Sequence, residues 1–124
     1  MLETAQGWSV KVDRGPDWLF VKLSAPPDHH GDYSHLAEHV WNILNQHFIY
    51  RLVLEMDVRE FPSSLIGQLV LLHKRMCMHG GVIRLCGLSA GQWRALESCR
   101  LDSRFPHYDS RDEAVHGHRP TQPR

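Results

Sequence analysis

The sequence has no excess of charge of either sign and no long hydrophobic run. Lysine plus arginine number 14, as do aspartate plus glutamate, so the net charge is zero. A general nucleic-acid binder and a polybasic membrane-surface protein both need a basic excess, so neither class is expected. No apolar run reaches the roughly 18 residues of a membrane span. The opening MLETAQGWSV lacks the basic-then-apolar order of a secretory signal, which favours a cytoplasmic protein.

Cysteine is scarce. The chain has three, Cys77, Cys86 and Cys99, and no pair has C-x-x-C spacing. An odd number without that spacing is typical of reduced thiols in a cytoplasm. Cys77 and Cys86 stand inside apolar runs, so we expect both side chains to be buried.

Common catalytic and cofactor-binding signatures are also missing. The sequence contains no G-x-x-x-x-G-K-[ST], no G-x-G-x-x-G and no G-x-S-x-G. The first two hold phosphates on backbone N–H groups, and the third presents a serine nucleophile. A conventional nucleotide-binding loop and a hydrolase nucleophile are therefore excluded by motif, and we expect no cofactor.

What is present is an alternation of strand-like and helix-like segments. WSVKVD and WLFVKLS read as strands of a hairpin, and IYRLVLEMD and VIRLCGL as buried strands. Apolar residues recur at helical spacing in YSHLAEHVWNILNQHF and after the double serine, up to Gly80 and Gly81. SAGQ and SRDE are capping boxes that open two further helices.

The 124 residues are enough for one ordinary domain. The order β-β-α-β-α-β-α, followed by a short extended piece and a last helix, predicts an α/β fold. We expect a mixed, mostly parallel sheet of four to five strands with helices packed against it. The domain is predicted to span residues 1–115, and the polar segment HGHRPTQPR at 116–124 to be a disordered tail.

The junction between the third strand and its helix carries the most informative chemistry. Pro62 suits the approach to a helix, so Ser63 or Ser64 is predicted at or beside the N-cap. Such a serine could serve only as a cap. It could also accept a phosphate, which adds about −1.5 to −2 charges to a surface already acidic at Asp57 and Glu60.

The segments YRLVLEMD, the double serine, the apolar helix, GG, VIRLCGLS and RLDSRFPHYDSRDEAV resemble the STAS domain. That family includes the bacterial anti-sigma factor antagonists. The resemblance implies a STAS-like domain that binds an anti-sigma factor or a related serine protein kinase-like regulator. It implies Ser63 as the phosphorylated residue, with Ser64 as the alternative. The implied partner-binding residues are Asp57, Glu60, Ser63, Ser64, Leu65 and Gln68.

Two residues depart from the family pattern Asp-Ser-Ser-Gly or Asp-Ser-Thr-Gly. Pro62 stands in place of the aspartate, and Leu65 in place of the glycine. They favour the alternative of a STAS-like module that is not phosphorylated and serves as a scaffold or binds a small ligand. The sequence leaves monomer and homodimer both open.

The segment HLAEH at residues 35–39 matches the H-x-x-E-H zinc motif. His35 and His39 could bind zinc from one helix face with Glu38 as a base, if a residue such as His73 supplied a third ligand. Ten histidines in the chain make a chance match common, so we expect His35 and His39 to be polar positions beside the apolar face. No metal is expected.

Overall fold

The computed structural model describes residues 2–5, 8–25, 33–59 and 61–116. The elements in chain order are β1 Leu2–Ala5, β2 Trp8–Arg14, β3 Leu19–Ser24, α1 Leu36–His47, β4 Arg51–Asp57, α2 Ser63–Met78, β5 Val82–Cys86, α3 Ala90–Ser98, β6 His107–Tyr108 and α4 Arg111–His116. His116 is therefore the last residue of α4, and positions 117–124 of the proposed tail lie outside the described residues.

The sheet is mixed, with its strands in sequence order from β1 to β6. β1, β2 and β3 pair antiparallel, and β3, β4, β5 and β6 pair parallel. The predicted hairpin is β2–β3, closed by a hydrogen bond from the Gly15 N–H to the Trp18 carbonyl at 2.8 Å. The predicted α/β class with a mixed, mostly parallel sheet is confirmed. The sheet gains β1 as an additional edge strand, because LETA is too short to give a periodic signal.

Both faces of the central strand β4 are covered, as its continuous apolar run predicts. Leu52, Leu54 and Met56 join the main core, which α1, α2 and α3 cover. Val53 points to the other face and packs in a smaller cluster beneath α4. α2 contributes a stripe of buried side chains at Leu65, Leu69, Leu72 and Met76. Burial of each such side chain contributes about 1.5–3 kcal/mol before the entropic cost.

On the second face of the sheet, Arg111 at the start of α4 holds that helix in place. Its guanidinium donates to Glu55 Oε1 at 2.8 Å and to Asp13 Oδ2 at 2.9 Å. The same group lies 5.3 Å from the centre of the Phe20 ring. Arg111 therefore ties the last helix to β2, β3 and β4, which are far from it in sequence.

The double glycine ends α2 as predicted. Gly80 has a positive φ of 70°, and the Gly81 N–H donates to the Met76 carbonyl at 2.7 Å. A Cβ at Gly81 would lie 2.7 Å from the Tyr50 carbonyl oxygen, so the chain needs glycine there to enter β5. No helix within the described ranges is long and apolar enough to cross a bilayer.

The expectation that Cys77 and Cys86 are both buried is half wrong. Cys86 is buried under α4, and burial raises its pKa to about 11. Cys77 is exposed, because each helical residue turns by about 100° and the core-facing position belongs to its neighbour Met76.

Candidate functional site

The site lies at the sheet edge where β3, β4 and β5 end. Parallel strands place their carboxyl ends on the same edge, where ligands of open α/β sheets bind. Ser24 closes β3 and Asp57 closes β4, and the two are register partners. The Ser24 hydroxyl donates to Asp57 Oδ2 at 3.3 Å, and the Asp57 side chain is exposed. Asp57 is therefore an accessible carboxylate beside the β4–α2 loop.

The two serines are at the start of α2. The N-cap is Pro62, with φ −68° and ψ 161°, and it makes no side-chain capping bond. Ser63 and Ser64 are therefore the first two residues of the helix, beside the cap position and not on it. Both are exposed. The geometry presents two hydroxyl-bearing side chains to solvent at the positive end of a 16-residue helix.

Leu65, expected among the partner-binding residues, does not lie on the exposed surface. Its side chain is fully buried, with 0% exposure, in the main core. The reason is the helical period: Leu65 is the first member of the stripe that faces the sheet. A residue in that position supports the helix beneath the serines.

Gln68 joins α2 to α1. Its Oε1 accepts a hydrogen bond from the Ala37 backbone N–H at 2.9 Å, and the side chain is half-buried. Ala37 lies in the first turn of α1, whose N–H groups have no partner within the helix. His35 at the N-cap of α1 makes no side-chain capping hydrogen bond. Gln68 thus stabilises the start of α1 from outside that helix.

Glu60, the remaining residue of the expected partner-binding set, lies outside the described residues. Of the others, Asp57 ends β4 and Ser63 and Ser64 begin the helix that follows it, and all three are exposed. α2 has no acidic residue in its first turn. A negative charge added there would meet the positive end of the helix without an acidic neighbour in that turn.

The loop before the serines is supported by a residue that the sequence does not identify. Gln92 is 7% exposed, and its side-chain amide donates to the Val58 carbonyl at 2.6 Å. Its Oε1 accepts from the Ser89 N–H at 3.0 Å, and the Ser89 hydroxyl accepts from the Gln92 N–H at 3.2 Å. The predicted capping box is confirmed. Gln92 and Val58 are 34 positions apart, so no local sequence pattern predicts their contact.

The end of the neighbouring strand, β5, is also held in place by a buried side chain. His107 in β6 is 2% exposed, and its Nε2 accepts a hydrogen bond from the Leu88 N–H at 3.1 Å. Gly87, which precedes Leu88, has a positive φ of 83°. A Cβ at this position would lie 3.0 Å from the Met56 carbonyl oxygen. These contacts fix the end of β5 against that of β4.

The residues of the H-x-x-E-H motif do not form a metal site. His35 precedes α1 in a left-handed conformation with φ 66°, so it is not on the helix face that carries His39. The His39 ring stacks edge-on against Trp8 at 5.5 Å, and the His73 ring packs against Phe105 at 5.2 Å. Across the described ranges, no group of three or more His, Cys, Asp or Glu side chains could hold a metal.

No protein-family model matches the sequence. No curated protein matches it either. Solved structures do match. A crystal structure of an anti-sigma factor antagonist from Mycobacterium paratuberculosis has a TM-score of 0.72 and 16% identity, over 93% of this chain and 97% of that one.

Two further structures are similar. The NMR structure of the protein TM1081 has a TM-score of 0.71 and 21% identity, over 86% of this chain and 85% of that chain. The Bacillus cell fate determinant SpoIIAA in its phosphorylated form has a TM-score of 0.61 and 13% identity, over 86% of this chain and 96% of that chain. At these identities the likeness is one of fold. The chain has the STAS fold that the anti-sigma factor antagonists have.

Proposed function

We propose that this protein is a non-enzymatic, cytoplasmic regulatory module that binds an anti-sigma factor or a related serine kinase-like regulator. The docking surface is the end of β4 and the start of α2, with Asp57, Ser63 and Ser64 as its exposed residues. The observation that carries the proposal is the exposure of both serines at the first two positions of α2. Binding of the regulator at this surface would release a sigma factor by competition.

Ser63 is the proposed phosphate acceptor, with Ser64 as the alternative. A phosphate at a helix N-terminus interacts favourably with the helix dipole, so the modified fold stays intact. The modification adds about −1.5 to −2 charges at a surface that already carries Asp57. A partner that fits the unmodified surface would then face repulsion and unfavourable desolvation, and would dissociate.

The comparisons support this proposal at the level of fold. One similar structure is that of an anti-sigma factor antagonist, and SpoIIAA is described in both unphosphorylated and phosphorylated forms. The exposed serines supply the acceptor that such a cycle needs.

Incubation of the protein with a cognate kinase and ATP, followed by mass spectrometry, tests the proposal. We expect one phosphate on the wild type and none on Ser63→Ala, with Ser64→Ala as the matched control that is still modified. If Ser64→Ala loses the phosphate and Ser63→Ala keeps it, the acceptor is Ser64. No phosphate at either position would remove the switch.

A second candidate is a STAS-like module that binds its partner or a small ligand without phosphorylation. Two observations favour it: Pro62 occupies the N-cap, and Leu65 is locked in the core where the family pattern has a glycine. The two candidates differ in cells. The second predicts an unmodified wild type and a Ser63→Ala variant that binds the partner with unchanged affinity.

A further inference from the structure

Within the described part of the chain, α2 carries exposed apolar side chains outside its core-facing stripe. Leu71 and Met78 are 52% and 83% exposed, although α2 already buries its core-facing stripe. Between them stand Lys74 and Arg75, which are exposed as well. These four residues have the spacing i, i+3, i+4 and i+7, so they lie along one side of the helix.

This side of α2 forms one wall of a groove whose other wall is the start of α1. The groove has a volume of about 570 Å³. Gln68 closes one end through its hydrogen bond to Ala37, and Met78 lies at the other. Leu71 and Met78 are seven residues apart, which corresponds to about 10.5 Å along the helix axis.

The charges along the groove are mainly basic. Lys74 and Arg75 carry permanent positive charges, and Arg75 lies 5.9 Å from the centre of the Trp41 ring, which restrains it. Glu38 is the single carboxylate among the described residues that line the groove, and its Oε2 lies 3.8 Å from His35 Nδ1. An occupant with carboxylates beside an apolar stripe matches this pattern.

We infer that the groove binds an acidic amphipathic helix of a partner protein. Two apolar side chains of that helix, one every second turn, would cover Leu71 and Met78. Its flanking carboxylates would pair with Lys74 and Arg75. Helix-in-groove docking of this kind uses anchors at i, i+3, i+4 and i+7. The inference concerns the middle and end of α2 and stands whether or not Ser63 is phosphorylated.

Two other occupants fit the surface less well. A second copy of the chain related by a two-fold axis would bring the same face against itself, and Lys74 and Arg75 would meet their own counterparts. Binding to an anionic membrane typically needs a cluster of about four to eight lysines and arginines. The groove is concave and holds two.

A synthetic amphipathic peptide with leucine on every second turn and glutamate on both flanks is the probe. Titrated into the isotope-labelled full chain and followed by NMR, it should shift the amide signals of residues 68–78. A peptide with lysine in place of each glutamate is the matched control and should bind at least tenfold more weakly. Equal affinity for the two peptides, no binding of either, or shifts confined to other elements would overturn the inference.

Variants of the chain separate the groove from general effects. Lys74→Glu and Met78→Ser should each weaken peptide binding about tenfold or more. The controls are Lys11→Glu, an exposed lysine on β2, and Phe48→Ser, an apolar residue that is 83% exposed at the end of α1. Both controls should bind as the wild type does. Equal weakening by variant and control would also overturn the inference.

Two further measurements identify the competing occupants. Self-association that Met78→Ser abolishes would assign the face to a second copy. Co-sedimentation with anionic phospholipid vesicles that Met78→Ser abolishes would assign it to a membrane. Either result would replace the acidic helix. Thermal unfolding confirms that each variant is folded before it is scored.

Discussion

The Gln92 side-chain amide donates to the Val58 carbonyl oxygen at 2.6 Å and so joins α3 to the loop that precedes the two serines. Gln92 is nearly buried, and its other amide atom is engaged by the Ser89 N–H. α3, which follows the neighbouring strand β5, therefore holds the loop at the carboxyl end of β4 in place. The path of the chain into α2 depends on this contact as well as on Pro62.

Gln92→Glu should lower the free energy of unfolding by about 1–3 kcal/mol, because it leaves the Val58 carbonyl without its donor. The carboxylate can still accept from the Ser89 N–H, so the capping box is retained. Chemical denaturation measures the loss, and hydrogen exchange should accelerate at Val58 and Arg59. Gln46→Glu, an exposed position on α1, is the control and should change stability by less than about 0.5 kcal/mol. Equal effects of the two substitutions would show that the Val58 contact contributes nothing specific.

The local elements could be predicted from the sequence because each has its own periodic signal. The stripe of α2, the capping box at Ser89 and the double glycine at 80–81 each depend on residues that are only a few positions apart in the sequence. The contact of Gln92 with Val58 and that of Gln68 with Ala37 join positions more than 30 residues apart. Such contacts depend on how helices pack on the sheet, and no local pattern specifies them.

The candidate site was predicted in part. The resemblance points to the double serine, and the structure exposes both residues. It also points to Leu65, whose side chain the helical stripe places in the core. The H-x-x-E-H motif fails for a related reason. Spacing alone does not reveal that His35 lies before the first turn of α1.

Asp13→Asn should make stability less dependent on pH. A hydrogen bond from Arg111, supported by the positive charge of that residue, holds the Asp13 pKa below its ordinary value of 3.8. The folded state thus favours the charged carboxylate, and the gain is present above that ordinary value and lost as the pH falls through the folded pKa. We expect the wild type to exceed Asp13→Asn in stability at neutral pH, and the difference to shrink in acid.

Urea denaturation at a series of pH values measures that difference. Asp17→Asn, an exposed aspartate in the turn between β2 and β3, is the matched control. It should change little at any pH. A difference between wild type and Asp13→Asn that stays constant down to strong acid would contradict the role of the Arg111 contact.

Two glycines of the α2 region should respond to alanine in opposite directions. Gly67 is exposed in the middle of α2, and a Cβ there would meet nothing within 4 Å. Gly67→Ala should stabilise the protein by about 1 kcal/mol, since glycine is a poor helix former. Gly81→Ala should destabilise it, because the new Cβ would lie 2.7 Å from the Tyr50 carbonyl. Denaturation midpoints decide both signs, and a gain at Gly81 would show that the turn can open without cost.

Pro62→Asp should stabilise α2 through a cap that the natural residue lacks. Pro62 has an extended backbone that aspartate also adopts, and it gives no side-chain bond to the first turn. Aspartate at an N-cap accepts a bond from a first-turn N–H and interacts with the helix dipole, worth about 1 kcal/mol. Removal of the proline also gives the unfolded chain more conformational freedom. This stabilises the unfolded state by about 0.4–1 kcal/mol and offsets part of the gain.

Pro62→Ala is the control that separates these two effects. It loses the proline without gaining a cap, so the Asp and Ala variants should differ by about 1 kcal/mol in unfolding free energy. The difference should fall in acid, where the new carboxyl becomes protonated and its interaction with the dipole weakens. Equal stability of the two variants at neutral pH would mean that the start of α2 has no N–H available to the new carboxylate. A phosphate on Ser63 would then depend on solvent and partner groups alone, and the dipole argument for the switch would lose its main support.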